Sequence, residues 1–404
     1  MNIGIVSTWF ERGASYVSRQ YIDALKSDTN NHVFVYARGG EAYAKKNAAW
    51  DNDRVTWGKI PKKYYYGATS IDKNDFIRWI KQRNLDIILF NEQNWWEPVL
   101  WCKELGVIVG TYVDYYTETT VPFFPIYDFL ICNTQRHYNL FKDIPQSYYV
   151  RWGTDIELFS FKEKEEENLE EIVFFHSAGM NPVRKGTDSI IQAFDHIHDG
   201  KSKLIIHTQV KLEECLPKKY CDLALNHPNI TIIHQTITAP GLYSKGDVYV
   251  YPSILDGVGL TVVEALSCGL PCIVSNNAPM NEFIQNDENG KLIDIEYLYA
   301  RNDGYFWPQC KISLQSLEEN MQFYLHNREN LEAYRKRARL SAEKKYNWKE
   351  RYPLICSIFK EVKTKPIDID LKNRILQYEK NNNGKYNLLP YAFYYWKKWK
   401  TRLI

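Results

Sequence analysis

No stretch of the 404-residue sequence approaches the roughly 18–20 consecutive apolar residues that a bilayer-spanning helix needs, so no transmembrane segment is expected. Cysteine is sparse. The eight, at positions 102, 132, 215, 221, 268, 272, 310 and 356, form no Cys-x-x-Cys pair and are too few for a disulfide scaffold of this length, which makes them reduced core residues. An excess of one charge is also missing: 51 Lys and Arg face 49 Asp and Glu, and this near-balance removes the basic footprint of a dedicated nucleic-acid binder. Ahead of its first apolar run, Ile3-Gly4-Ile5-Val6, the chain has no basic n-region and no small-residue cleavage site. It is therefore expected to work in the cytoplasm, in solution or peripherally on the inner face of the cell membrane. No Gly-x-Gly-x-x-Gly loop follows the first apolar run, which excludes a nicotinamide-dependent oxidoreductase. No His, Cys and acid spacing points to zinc, and Asp368-Ile369-Asp370 lies in the tail, so no metal is assigned.

What is present is an ordinary globular balance, 45% hydrophobic and 25% charged, enriched in Tyr and Trp. At roughly 150 residues per domain, this length predicts two or three units. Short β-branched or aromatic runs alternate with helical patterns at Ile3 to Ser7, His32 to Ala37, Ile87 to Asn91, Val107 to Tyr112 and Phe129 to Asn133. Between the first two, Tyr16 to Lys26 carries a helix-period stripe of Val17, Tyr21, Ile22 and Leu25. The charged run from Phe161 to Asn168 predicts a solvated connector. A second alternation follows at Ile172 to His176, Leu204 to His207, Ile230 to His234, Val248 to Tyr251 and Cys272 to Ser275. The fold class expected is α/β, with doubly wound domains at 1–160 and 161–345 and a helical region with an aromatic and basic tail at 346–404.

The most informative stretch runs from Gly246 to Pro271. After the strand Val248 to Tyr251 comes a loop, Asp256-Gly257-Val258-Gly259, then a helix that Gly269 and Pro271 end. This order leaves the amides of Val258, Gly259, Leu260 and Thr261 at a helix N-terminus, where N–H donors and the positive dipole end stabilise a diphosphate. Gly257 and Gly259 allow the backbone a close approach to that ligand. Glu264, one turn further on, places a carboxylate beside the anion, where it can accept from vicinal hydroxyls.

An acid, seven residues and then Glu, set in G-x-G-L-x-x-x-E-A-x-x-x-G-x-P, resembles the retaining family 4 glycosyltransferases of the GT-B fold. The resemblance implies two Rossmann-like domains facing a cleft, the second holding a nucleotide-sugar donor and the first an acceptor. It assigns the ribose hydroxyls to Glu264 and the sugar contact to Asp256, which stands where the family usually has Glu and reaches one methylene less. The loop from Ser177 to Asp188, which includes Gly179, resembles the family's G-R-x-x-x-x-K-G segment. Lys185 falls at the Lys position, Met180 replaces the Arg, and Arg184 supplies a cation from a different point. Their implied task, neutralising the departing diphosphate, needs no proton transfer and no metal. Gly13 and Ala14, after the first strand, occupy the place of a loop that faces the donor phosphate.

Supporting matches are Arg151 to Phe159, like the family's G-V-D-x-x-x-F segment, and Asn276 to Phe283, like the loop after its last motif strand. Many relatives carry a His after a strand such as Val107 to Tyr112, and here Asp114 or the cluster Asn91-Glu92-Gln93-Asn94 is the substitute. His176, at the end of a buried run, is read as a core residue. The implied function is retaining, metal-independent hexosyl transfer from a nucleotide-sugar to a saccharide or lipid-linked acceptor in cell-surface polysaccharide synthesis. A non-catalytic glycosyltransferase-like partner subunit is the alternative. The tail from Tyr391 to Ile404 combines aromatics and cations, and as a helix it sets Tyr391, Tyr395, Trp396, Trp399 and Leu403 on one face, suited to an anionic membrane surface or to packing back on the first domain.

Overall fold

The computed structural model describes residues 1–38, 43–59, 69–162 and 171–383. Most of the expected connector and the whole 391–404 tail lie outside the described residues. The chain divides into two units. Met1–Cys132, Phe141–Tyr148 and the chain from Tyr352 form the first; Asn133–Leu140 and Tyr149–Arg351 form the second.

The first unit opens with β1 (Asn2–Ser7), α1 (Gly13–Lys26), β2 (His32–Ala37), β3 (Val55–Trp57), α2 (Lys73–Gln82), β4 (Ile87–Phe90), α3 (Glu97–Glu104), β5 (Ile108–Tyr112) and β6 (Phe129–Cys132). Helix α4 (Gln135–Phe141), whose first residues belong to the second unit, leads into β7 (Ser147–Tyr149). The sheet order is β3-β2-β1-β4-β5-β6-β7, with Ile3 of β1 opposite Val33 on one side and Ile87 on the other in parallel register. Covered on both faces, β1 and β4 are continuous apolar runs, as buried parallel strands require. The apolar stripe of α1 is buried as its spacing predicts. The helix starts three residues before Tyr16, where the Ser15 hydroxyl of its first turn donates to the Thr8 carbonyl at 3.1 Å; in the next turn the Ser18 hydroxyl donates to Ser7 Oγ at 2.8 Å.

The second unit runs β8 (Ile172–Gly179), α5 (Thr187–Ile197), β9 (Ser202–Thr208), α6 (Lys218–Asn226), β10 (Ile230–His234), β11 (Val248–Tyr251), α7 (Leu260–Ser267), β12 (Cys272–Ser275) and β13 (Gly290–Ile293). An antiparallel hairpin of β14 (Ile295–Tyr299) and β15 (Gln309–Ile312) follows, then α8 (Leu314–His326) and α9 (Leu331–Lys345). The parallel sheet has the order β10-β9-β8-β11-β12-β13. Its strand order reverses between β8 and β11, and in such sheets ligands bind at the carboxyl ends of the strands beside the reversal. The two loops singled out in the sequence, after β8 and after β11, both leave from that place.

Two further helices, α10 (Tyr352–Glu361) and α11 (Ile369–Asn383), complete the first unit. Helix α10 packs on α1: Lys360 pairs with Asp28 at 2.8 Å, and the Phe359 ring meets Phe129 at 5.1 Å. Between α10 and α11 the chain is pinned by the buried ion pair of Lys103 and Asp128. Lys103 Nζ lies 2.5 Å from Asp128 and donates to the Lys365 carbonyl, while the Lys365 amide donates to Asp128. Buried Glu379 of α11 accepts from the Trp96 amide at the start of α3 at 2.8 Å. Asp368 caps α11 by accepting from the Leu371 amide, which gives the Asp-Ile-Asp triplet a helix-starting role. All eight cysteines are free thiols, and seven are buried.

Candidate active site

Gly186 fixes the geometry of the first motif loop. It sits at φ +70°, and a Cβ there would lie 2.2 Å from the Pro252 carbonyl oxygen, so the loop after β8 can close on the loop after β11 only with glycine at this point. The Ile254 amide donates to the Arg184 carbonyl at 2.9 Å and ties the two loops together. In the second loop, Gly259 at φ +82° is the N-cap of α7. Gly269 at φ +78° ends that helix, as its position before Pro271 predicts.

This closure gathers Arg184, Lys185 and Asp256. Lys185 Nζ lies 2.5 Å from Asp256 Oδ2, and the Arg184 guanidinium donates to the Leu255 carbonyl at 2.9 Å and stands 3.8 Å from the same carboxylate. Tyr251 donates its hydroxyl to Asp256, and the Gly259 amide reaches the other carboxylate oxygen at 3.3 Å. Burial raises the Asp256 pKa, but Lys185 and Arg184 outweigh it and hold the group below the usual carboxylate range. Burial also lowers Lys185 to about 8, against the opposing pull of Asp256. Met180 is 60% exposed and takes no part in this cluster.

Glu264 follows on α7. Buried Tyr243 donates to its Oε2 at 2.6 Å, and burial pushes its carboxyl up to about 7 even though Tyr243 and the Lys185 charge pull it down. Gly257, Val258, Leu260 and Thr261 stand between Asp256 and Glu264, on the loop and first turn of α7. Gly179 ends β8 at φ +57°, its carbonyl accepting from the Gln209 amide. Gly13, Ala14 and Asp114 belong to the first unit: Gly13 and Ala14 open α1, and buried Asp114 follows β5. Of the cluster after β4, Asn91 and Gln93 are committed to holding backbone, the Asn91 amide to Ala14 and the Gln93 amide to Thr69 and Trp95. His176 is fully buried, with one ring nitrogen against the Val250 carbonyl and the other against Thr187, and burial lowers it to about 4. It is a core residue.

Three contributors were not singled out in the sequence. Tyr243 and Tyr251 sit on or beside strands whose pattern reads as plain core. Arg136 comes from α4, where no motif marks it, and donates to the carbonyls of Asp256 at 2.9 Å and Gly257 at 3.3 Å. Among the described residues no three His, Cys, Asp or Glu side chains group as a metal site, and no helix is long and apolar enough to cross a membrane.

Two Rossmann-like units, with motif loops at the strand reversal of the second, define the GT-B fold. Residues 159–341 match the family described as glycosyl transferases group 1, and the chain contains that domain. In sequence it is similar to the sulfoquinovosyl transferase SQD2 of Arabidopsis thaliana, 35% identical over 107 residues that make up 26% of this chain and 18% of that protein. It is also similar to an Escherichia coli UDP-Gal:alpha-D-GlcNAc-diphosphoundecaprenol alpha-1,3-galactosyltransferase, 43% identical over 56 residues, 14% of each chain. The sequence matches thus span well under half of these curated relatives. The structure of Anabaena HepE in complex with UDP and glucose shares the fold, with a TM-score of 0.66 at 14% identity over 90% of this chain and 100% of its own.

Proposed function

We propose that this chain is a retaining, metal-independent glycosyltransferase that moves a sugar from a nucleotide-diphosphate sugar to a saccharide or lipid-linked saccharide acceptor during cell-surface polysaccharide synthesis. The observation behind this reading is the convergence of Lys185, Arg184, Asp256 and Glu264 around the glycine loop at the N-terminus of α7. Glu264 accepts the two ribose hydroxyls, with Tyr243 steadying its carboxylate. The loop amides and the two cations take the negative charge that grows on the diphosphate as the glycosidic bond breaks. The acceptor hydroxyl attacks from the face the diphosphate leaves and passes its proton to the departing phosphate oxygen as the new glycosidic bond forms, so the anomeric configuration is kept. The names of the Escherichia coli relative and of the HepE complex support a UDP-type donor and a lipid-diphosphate-linked acceptor class.

Nucleotide release from UDP-, GDP-, ADP- and dTDP-sugars in the presence of saccharide acceptors tests the reading. Release of one nucleotide with transfer to an acceptor supports it. Failure to bind any of the four donors in calorimetry would favour a non-catalytic subunit, a reading that the exposed Met180 in place of a cation also favours. Because fixed positive charge does the neutralising, EDTA is expected to leave turnover intact; a loss restored by Mg²⁺ or Mn²⁺ counts against the metal-independent mechanism.

The pH dependence has a defined sign. Glu264 accepts from both ribose hydroxyls best as the carboxylate, with neither oxygen carrying a proton, so kcat/KM for the donor is expected to rise through about pH 7. Lys185 must be charged, so the same parameter falls through about pH 8. A flat profile across this window would show that neither group titrates in the free enzyme.

A further inference from the structure

Behind the glycine loop, on the side of its carbonyl groups, stands Arg136. Its guanidinium donates to the carbonyls of Asp256 at 2.9 Å and Gly257 at 3.3 Å, and also to the Ala278 carbonyl after β12. It lies 4.9 Å from the centre of the Trp307 ring, which stacks on His137. Trp307 is buried in the segment that joins β14 to β15, and that hairpin is tied to the same loop: the Cys310 amide donates to the Ile254 carbonyl at 3.1 Å, and Asn277 bridges the Ile254 and Pro308 carbonyls. From the other direction, Glu282 accepts from the Gln135 and Arg136 amides at 2.5 and 2.9 Å and fixes the start of α4. The guanidinium is thus held by its own helix, by an aromatic face and by three backbone acceptors.

The planarity of the peptide gives this arrangement a consequence. In a trans peptide the C=O and N–H of one unit point in opposite directions. The Asp256 carbonyl shares its unit with the Gly257 amide, and the Gly257 carbonyl shares its unit with the Val258 amide. By drawing both oxygens toward itself, Arg136 turns the N–H groups of Gly257 and Val258 to the opposite side. Without that hold, two glycines within three residues leave these planes free to rotate, and a rotation would present carbonyl oxygens where an anion has to sit.

We propose that Arg136 is a positioning residue for the diphosphate-binding amides of Gly257 and Val258, a role that rests on the donor reading given above. It touches neither sugar nor phosphate and acts through the orientation of two peptide planes. A planar guanidinium suits the task because it offers several donors in fixed directions, whereas an ammonium offers a point charge on a flexible stem.

The test compares wild type, Arg136→Ala, Arg136→Lys and Trp307→Leu for binding of UDP, GDP, ADP and dTDP by calorimetry, with the matching uncharged nucleosides followed by ligand-observed NMR. In Arg136→Ala the Kd of the diphosphate that wild type binds is expected to rise by about tenfold or more, while the nucleoside affinity is unchanged. Arg136→Lys, which keeps the charge and the fold, is expected to show the same selective loss in smaller measure, and so is Trp307→Leu. Equal losses for diphosphate and nucleoside, or no loss in Arg136→Lys and Trp307→Leu, would overturn the role. If wild type itself binds none of the four diphosphates, the donor reading fails, and the role of Arg136 falls with it.

Discussion

Glu264→Gln is expected to lower donor turnover by about 10²- to 10³-fold and, at pH 8, to make the protein more stable rather than less. The substitution keeps volume and leaves the Tyr243 hydroxyl an oxygen to donate to, so the fold has no reason to change. What it removes is the charge proposed to accept from the ribose hydroxyls. The stability gain follows from linkage. Burial raises the folded carboxyl to about 7, above its ordinary value of 4.5, so the folded state binds this proton more tightly than the unfolded state does. Stability from this group is then greatest below the unfolded value and declines as pH rises to about 7. Above that the ionised carboxyl costs on the order of 3 kcal/mol, which glutamine does not incur. Thermal melts of both proteins at pH 5 and pH 8 check the sign: the variant should gain at pH 8 and gain little at pH 5. Full turnover in the variant would remove Glu264 from the site.

Lys185→Met carries the second large effect. Turnover is expected to fall by about 10³-fold, because one of the two cations proposed to neutralise the diphosphate is gone. Stability should fall by about 3–5 kcal/mol, because Asp256 is left partly buried with only Arg184, 3.8 Å away, as a cationic partner. These two losses have different causes and separate in the double variant. Lys185→Met with Asp256→Asn should recover most of the stability, since an amide needs no counter-charge, yet recover none of the turnover. Chemical denaturation and donor turnover on the four proteins of this cycle measure both. Activity recovered along with stability would mean that Lys185 serves the fold alone.

The cycle also bears on how Asp256 acts. Its carboxylate is engaged on both oxygens, by Lys185 and Tyr251 on one side and by the Gly259 amide on the other.

How much of this was legible in the sequence varies with the range of the contacts involved. The ten strands read from alternation are all present, and most are buried runs whose residues and neighbours are enough to specify them; β10, with only Ile230 buried, is the clearest exception. Strands β3, β7 and β13 are three or four residues long, and their pairing is decided by the sheet edge they reach, which no local pattern records. The hairpin of β14 and β15 was missed because Tyr297, Leu298 and Tyr299 are all exposed, so no period of two appears. The glycine loop, Lys185 and Glu264 were readable because their spacing is contiguous. Arg136 was not, since it meets Asp256 across 120 residues of chain and follows no local rule. Tyr243 and Tyr251 looked like core aromatics, and they are; their hydroxyls matter only once the acids they serve are in place.

The route of the chain from Tyr352 onward bears on how the protein is made. The strands and helices of the first unit leave the ribosome first, yet α10 and α11 cover α1, Phe129 and the start of α3, and Lys365 between them supplies the backbone partners of the buried Lys103–Asp128 pair. During translation that surface stays uncovered, and that pair stays short of its partners, while the entire second unit is being synthesised. The part of the protein that is begun first is therefore finished last, after some 200 intervening residues have emerged. For that interval the first unit of the nascent chain holds an open apolar face, the stage at which a holding chaperone would have the most to protect.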